Sequence, residues 1–326
     1  MPITAATHSM TRQEIIDLAR AAHLAPSIHN SQPWIFHART DGLDIYEDPR
    51  RGLPGTDPQG RDRLISCGAA VRNAEAAMAR LDRKPITTLF PQGPHGDHVA
   101  AVTCGPPSTA SLETQALYRA IPARRTHRRI FVASGSAERH LPALYAAVDP
   151  VGARLAVLPA SGRARFARLL WRAAKSQVHD DAVQAEMREW TRTIGTTDGV
   201  PLRSHGTSPF PVDGLLAHAL PADDEAPPWV SEDLTQGTVV ALLTPADTRT
   251  DWVQAGRALE SVLLTATAAG LVASFLNPPL QQETYRQELS ALLNQTGYPQ
   301  TVLRIGEPLV TVPATPRRPL MDVLQA

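Results

Sequence analysis

The sequence predicts an α+β fold, with helices packed around a sheet and two related halves. Three observations point to it. Helix-like and strand-like segments alternate without a strict βαβ rhythm. One block of that alternation recurs far downstream, at a distance that fits a duplicated domain and not a solenoid. Apolar residues make up 43% of the 326, enough for a sizeable core.

The elements follow in order. Ile15, Ile16, Leu18, Ala19 and Ala22 recur at helical spacing and predict an amphipathic helix. Next comes Ala25-Pro26-Ser27-Ile28-His29-Asn30-Ser31-Gln32-Pro33-Trp34. Small side chains, hydrogen-bonding amides and a rigid Pro-Trp end suit a loop that approaches a flat polar ligand and holds its edges. Leu43–Tyr46 reads as a strand. A helix then begins with Cys67-Gly68-Ala69-Ala70-Val71-Arg72-Asn73-Ala74, and His98–Thr103 reads as a second strand.

The same sequence of patterns returns. Thr238–Leu243 is strand-like, Ala255-Gly256-Arg257-Ala258-Leu259-Glu260-Ser261-Val262 begins a helix, and Thr301–Ile305 is strand-like. Both helices open on small residues suited to close packing. Pro106-Pro107-Ser108-Thr109 reads as the linker. The halves are therefore 1–110 and 111–326. The second half carries added sequence. One long charged helix is expected over roughly 161–192, apolar through Phe166, Leu169, Leu170, Ala173 and Ala174. The stretch at about 195–228 is irregular and rich in Pro, Gly, His and Asp; loops this long are lids or disordered segments. Phe210, Leu215, Leu216 and Trp229 give it apolar anchors, which favours a lid.

Composition narrows the function. Formal net charge is zero, which argues against nucleic acid and anionic membrane as partners. Lys84 and Lys175 are the two lysines; the other basic residues are arginines. Two cysteines cannot build a disulfide framework, and a reduced, cytoplasmic setting fits them. No signal layout and no long apolar window stand out. Gly-x-Gly-x-x-Gly, Walker A, His-Glu-x-x-His and Gly-x-Ser-x-Gly are all missing, and the histidines share no zinc spacing with a cysteine. Cys67, read as opening a helix, could hold a thiolate there; a buried structural thiol is the plainer reading.

Arg124-Arg125-Thr126-His127-Arg128-Arg129 needs a reason. It reads either as a solvated basic corner or as a phosphate grip made of charge-assisted hydrogen bonds. Pro316-Arg317-Arg318-Pro319-Leu320 is a second arginine pair, and alone reads as an exposed tail. After the second repeat helix comes Ala273-Ser274-Phe275-Leu276-Asn277-Pro278-Pro279, which as it stands is a helix stop before two prolines.

The first loop resembles the Pro-Ser-x-x-Asn-x-Gln-Pro-Trp segment of the flavin-dependent nitroreductase superfamily. The arginine run resembles that family's Arg-x-Ser-x-Arg/Lys opening, with Thr126 in place of serine. The tail resembles its closing Arg-Arg-Pro. Two tandem degenerate halves and Asp198-Gly199-Val200-Pro201 resemble the actinobacterial Acg family of dormancy- and stress-linked proteins. The resemblance implies a nitroreductase-like three-layer fold whose halves form an intramolecular pseudo-dimer. It implies FMN as cofactor. Pro26, Ser27, Asn30 and Gln32 would hold the flavin from the first loop. Arg124 would hold the phosphate, Thr126 would stand for the serine, and Arg128 would sit near the pyrimidine edge. Arg317 and Arg318 would return to the phosphate. Backbone amides around Ser274, Phe275 and Leu276 would face the flavin N5–O4 edge, with the two bulky side chains leaving less room over the ring. Ile28 replaces a frequent second serine.

The first half has the loop without the arginine opening, and the second has the opening without the loop. That complementarity implies one composite FMN site and a monomer, or a weak homodimer. The implied activity is NAD(P)H-dependent reduction of nitroaromatics or quinones. No protein acid or base stands out, because the flavin carries such chemistry. The alternative is an FMN-storing protein with a lid-shielded flavin and little turnover.

Overall fold

The computed structural model describes residues 9–132, 135–192, 195–201, 226 and 228–325. In chain order the first part runs α1 (Arg12–His23), β1 (Trp34–Arg39), β2 (Gly42–Glu47), α2 (Arg61–Arg80), β3 (Arg83–Leu89) and β4 (His98–Pro107). Helices α3 (Leu112–Ala123) and α4 (Leu141–Val148) lead to β5 (Arg154–Val157). Then come α5 (Arg163–Val178), α6 (Asp181–Trp190), β6 (Thr191–Arg192), β7 (Val200–Pro201) and α7 (Pro228–Asp233). The last part holds β8 (Thr238–Thr244), α8 (Arg249–Ala268), β9 (Val272–Phe275), α9 (Glu283–Leu293), β10 (Tyr298–Gly306) and β11 (Leu324–Gln325).

One sheet has the order β11-β1-β2-β4-β3 and the other β5-β8-β10-β9. Without β11 the two orders correspond strand for strand. Every neighbouring pair in both is antiparallel. α2 and α8 hold the same place in each chain order. The first strands, β1 and β5, are among those the sequence pattern did not name, as are β3 and β9, the last of which begins the segment read as a helix stop. β11 comes from the far C-terminus and pairs parallel with β1, so the tail of the second half completes the first sheet.

Helices do not surround one sheet, as expected, but fill the space between two. α2 packs on β2, β3 and β4; α8 packs on β8, β9 and β10; the two helices pack on each other. Small residues permit this. A Cβ at Gly256 would overlap the Ile65 carbonyl and lie 2.8 Å from Gly68 Cα; one at Gly68 would overlap the Val253 carbonyl. Backbones in such contact leave no room for a side chain. α1 starts at a capping box between Thr11 and Glu14 and buries Ile15, Leu18, Ala19 and Ala22, the face its spacing predicts.

The sheets differ in what covers them. β3 alternates half-buried and exposed positions, so its outer face meets solvent. β8 is buried at every position, because Phe166, Leu169, Leu170 and Trp171 of α5 cover its second face. Its apolar run, Val239 to Leu243, is the signature of a strand covered on both sides.

Two expectations are corrected. The single helix over 161–192 is two, α5 and α6. The break falls at His179–Asp180, where the Asp180 side chain accepts from the amides of Ala182 and Val183 and caps α6. Pro106 and Pro107 are not free linker: they are the last residues of β4, and Arg83 pairs with Pro107. Of the expected lid, 202–225 and 227 lie outside the described residues, with Phe210, Leu215 and Leu216 among them; Trp229 falls in α7.

Candidate functional site

The Pro26–Trp34 loop turns sharply. His29, Asn30 and Gln32 have φ of 47°, 54° and 51°, a left-handed conformation that is costly for residues other than glycine. Local bonds hold it. Ser27 Oγ accepts from Gln32 N (2.9 Å), and Ile28 N donates to Ser66 Oγ on α2 (3.2 Å). At the loop's end the Trp34 indole N–H donates to His23 Nδ1 (2.9 Å). Indole is only a donor, so His23 must be neutral and protonated at Nε2, which donates to the Arg318 carbonyl (2.9 Å). Burial pushes His23 down to about 4, in keeping with this form.

The two amide side chains have protein partners. Asn30 Nδ2 donates to Gly199 O (2.9 Å) and Pro316 O (3.0 Å), and its Oδ1 accepts from Arg317 Nη1 (2.9 Å). Gln32 Nε2 donates to Thr197 O (3.0 Å), and its Oε1 accepts from Arg318 N (2.9 Å). These amides fasten the 195–201 segment and the C-terminal tail onto the loop. Asp198 adds an ion pair to Arg51 (2.5 Å).

Three arginines stand in the wall of an open cleft of about 1240 Å³, mouth included. Arg124, Arg128 and Arg317 all line it. Arg124 is 6% exposed, and its Nε and Nη1 have no hydrogen-bond partner. The fully buried Glu260 carboxylate stands 3.7 Å from it, beyond hydrogen-bond reach. Arg317 is held by the carbonyls of His23, Leu24 and Ala25 as well as by Asn30. Burial, and then the neighbouring Arg124, push the Arg317 guanidinium down to about 9. Burial lowers Arg124 as well, and pushes Glu260 up to about 7. Two guanidiniums, Arg124 buried and Arg317 half-buried, against one buried carboxyl leave positive charge in the wall, and Arg124 has donors to spare. The donor set fits a phosphate group.

The arginine run and the turn after α8 lie side by side. Thr126 bridges to Ala273, and His127 N donates to Ala273 O (2.8 Å). β9 is an edge strand, so its residues alternate between facing β10 and facing away. Leu276 N donates to Val302 O across the sheet, and the Ala273 carbonyl faces away. By alternation Phe275 turns its N–H to the free edge. The opposite wall comes from α2 with Asp62, Ile65 and Ser66, and from α5 and α6 with Gln177, Val183 and Met187.

Pro26, Ser27, Asn30, Arg124, Thr126, Arg128, Ser274, Phe275 and Arg317 thus line one cleft. Gln32, Leu276 and Arg318 do not. Gln32 is fully buried beneath the tail it binds. The Leu276 side chain is in the second core cluster with its amide spent on Val302, so it takes no space in the cleft. Arg318 turns toward the Gln32 and Asp322 carbonyls. Sequence reading missed Glu260, Asp62, Ser66, Gln177 and Met187. A glutamate inside the apolar repeat helix was the one available signal. Cys67 lies past the first turn of α2 and does not open it; it is fully buried, its thiol donates to Pro33 O (3.3 Å), and burial pushes it well above the ordinary range. Among the described residues no cluster of His, Cys, Asp and Glu could hold a metal ion. No helix among them is long and apolar enough to cross a membrane.

No family model matches the chain. Across 99% of its length it is 31% identical to a Mycobacterium tuberculosis protein named "Putative NAD(P)H nitroreductase Rv3131", covering 94% of it. It is 33% identical, over 92% of its length and 90% of the relative, to the uncharacterized Rv3127 of the same organism. Acg of that organism is 28% identical over 99% of the chain and 97% of its own length. Among solved structures, the FMN- and NADPH-dependent nitroreductase NfnB of sphigopyxis sp. strain HMH aligns with 64% of this chain and 98% of its own, at 19% identity and a TM-score of 0.38. NfnB of Mycobacterium smegmatis, in complex with NADPH, aligns with 66% and 99%, at 17% identity and a TM-score of 0.39. With similarity of this degree running nearly end to end, the chain belongs to the nitroreductase family that contains Rv3131 and Acg.

Proposed function

We propose that this chain is an FMN-binding oxidoreductase of nitroreductase type, using NAD(P)H to reduce nitroaromatics or quinones. One observation carries the reading: Arg124, buried in the cleft wall beside Arg317, makes no hydrogen bond through Nε or Nη1. Buried donors of that kind are costly unless a ligand satisfies them. Arg124 and Arg128 would bind the phosphate, and Arg317, its N–H groups held by protein acceptors, would add positive charge beside it. The Phe275 N–H would be aimed at the polar edge of the ring, and Pro26, Ser27 and Ile28 would line its other side. FMN held there supplies hydride acceptance and donation. The protein's share is to bind and orient it and to govern water and substrate access.

Equal strand orders in the two sheets support a tandem pseudo-dimer, with halves near 1–110 and 111–326. The first-half loop and the second-half arginine run would make one composite flavin site, so one chain would bind one FMN and act as a monomer. A second reading has a specific observation in its favour. Asn30 and Gln32 fasten Thr197 and Gly199 to the ligand loop, which brings the start of the 195–228 stretch to the cleft; Val200 lines it. A flavin under that cover would be stored more than used. Purified protein should show a flavin visible spectrum, at one flavin per chain. Anaerobic NADH or NADPH should bleach it. A colourless protein that takes up no FMN would overturn the proposal, and a bound flavin that neither nicotinamide bleaches would favour storage.

A further inference from the structure

The arginine cluster has a second side. Arg124, Thr126, Arg128, Thr315 and Arg317 line the main cleft and also a second one behind it. The second cleft adds Leu24, Ile121, Pro122, Arg125, Val312 and Pro313. Ile121 is buried, while Pro122 and Pro313 are exposed, so this cleft reaches the surface. Arg125 lies half-buried across the turn, its Nη1 donating to the carbonyls of Pro122 and Arg124 (2.7 Å each). Arg124, with no hydrogen bond at Nε or Nη1, lines both clefts.

A group ending in one phosphate needs only the main cleft. On the other side of the shared arginines, however, the second cleft has apolar walls and a further guanidinium. A fourth cation beside an apolar slot matches a second phosphate followed by a flat base. We infer that the second cleft is a nucleotide subsite, taking the adenylate half of a dinucleotide whose first phosphate lies on the shared arginines. The chain would therefore accept flavin adenine dinucleotide as well as FMN. That last step rests on the flavin reading of the main cleft; binding of a nucleoside diphosphate to the second cleft does not.

The test titrates the flavin-free full chain with FMN, FAD and ADP. Arg125→Ala removes the extra cation. Ala314→Trp plugs the cleft from an exposed lining position and leaves the Arg125 contacts alone. FAD should bind within about tenfold of FMN, and ADP should bind by itself. Each variant should weaken FAD and ADP by about tenfold or more while leaving FMN within about twofold. FMN binding without FAD or ADP binding would overturn the subsite and leave the flavin reading intact. Equal losses for FMN and FAD in both variants would overturn it too. ADP binding that Ala314→Trp abolishes, in a chain that takes neither flavin, would uphold the subsite and sink the flavin reading.

Discussion

The first turns of α2 and α8 occupy equivalent places in the two sheets, yet one faces a cleft and the other is covered. At α2, Asp62, Ile65 and Ser66 line the cleft. Its N-cap, Gly60, has φ of 74° and no side chain to cap with, so Asp57 accepts from the amides of Asp62 (3.1 Å) and Arg63 (2.8 Å). At α8, Thr248 and Asp251 form a capping box. The loop before β4 covers that end: Arg249 donates to Pro94 O (2.7 Å) and Gly96 O (3.2 Å), and pairs with the buried Glu47. The added helices α5 and α6 line that cleft together with the start of α2. Corresponding helix starts can thus line a cleft beside one sheet and be scaffold beside the other. What differs is the loop that reaches it.

The largest test concerns the contact both helices share. Gly256→Ala should destabilise the chain by more than about 3 kcal/mol, because backbone must move. Gly270→Ala, at φ 77° with open space around it, should cost only about 1 kcal/mol. Urea midpoints give both; equal losses would mean the helices are not in backbone contact.

The next effect separates the open end from the covered one. Arg124→Ala should weaken FMN by about thirtyfold, roughly 2 kcal/mol, and riboflavin far less, since riboflavin has no phosphate. Arg317→Ala should follow it, whereas Arg318→Ala should leave FMN nearly unchanged. Fluorescence titration reads all three. An Arg318 effect as large as Arg317's would break the assignment.

A third effect is a pH slope. Glu260 sits at about 7 in the folded chain, against an ordinary 4.5, because burial favours its neutral form. Folding therefore takes up a proton there. The stability tied to that proton is complete below pH 4.5 and is lost as pH rises through about 7. Asp57, also raised to about 7 by burial and by Asp62, acts in the same direction. Glu260→Gln should flatten the fall in urea midpoint over this window without abolishing it. An unchanged slope would show that Glu260 is already ionised there. The smallest effect belongs to the covered end: Thr248→Ala should cost about 1 kcal/mol and leave flavin binding alone, as checked by the same titrations.

Much of the fold was legible. The strands around Leu43–Tyr46, Thr238–Leu243, His98–Thr103 and Thr301–Ile305 and the two small-residue helices all appear. β1 and β5 were not read, because Trp34–Arg39 is mixed in polarity and Arg154–Val157 is too short for a period to show. Nor could the Asp180 break be seen, since apolar spacing continues across it and only the cap betrays it. Of the cleft, the ligand loop and both arginine clusters were legible by residue type. The wall from α5 and α6 was not, because Gln177, Val183 and Met187 look like any amphipathic helix face.

By itself the sequence determined the repeat, the apolar periods and the presence of two guanidinium clusters, since each depends on residue identity and spacing alone. Tertiary structure decided which groups those clusters present. Arg317 and Arg318 are adjacent and chemically identical, and an extended tail sends neighbours to opposite sides. The bond from Arg318 N to Gln32 sets the tail's rotation, so Arg317 turns inward to Asn30 and Arg124's cleft. The same holds for Leu276: its backbone N–H pairs with Val302 and its side chain enters the core, while Phe275 beside it lines the cleft. Which way a side chain points depends on partners far away in the chain, and no local pattern carries that information.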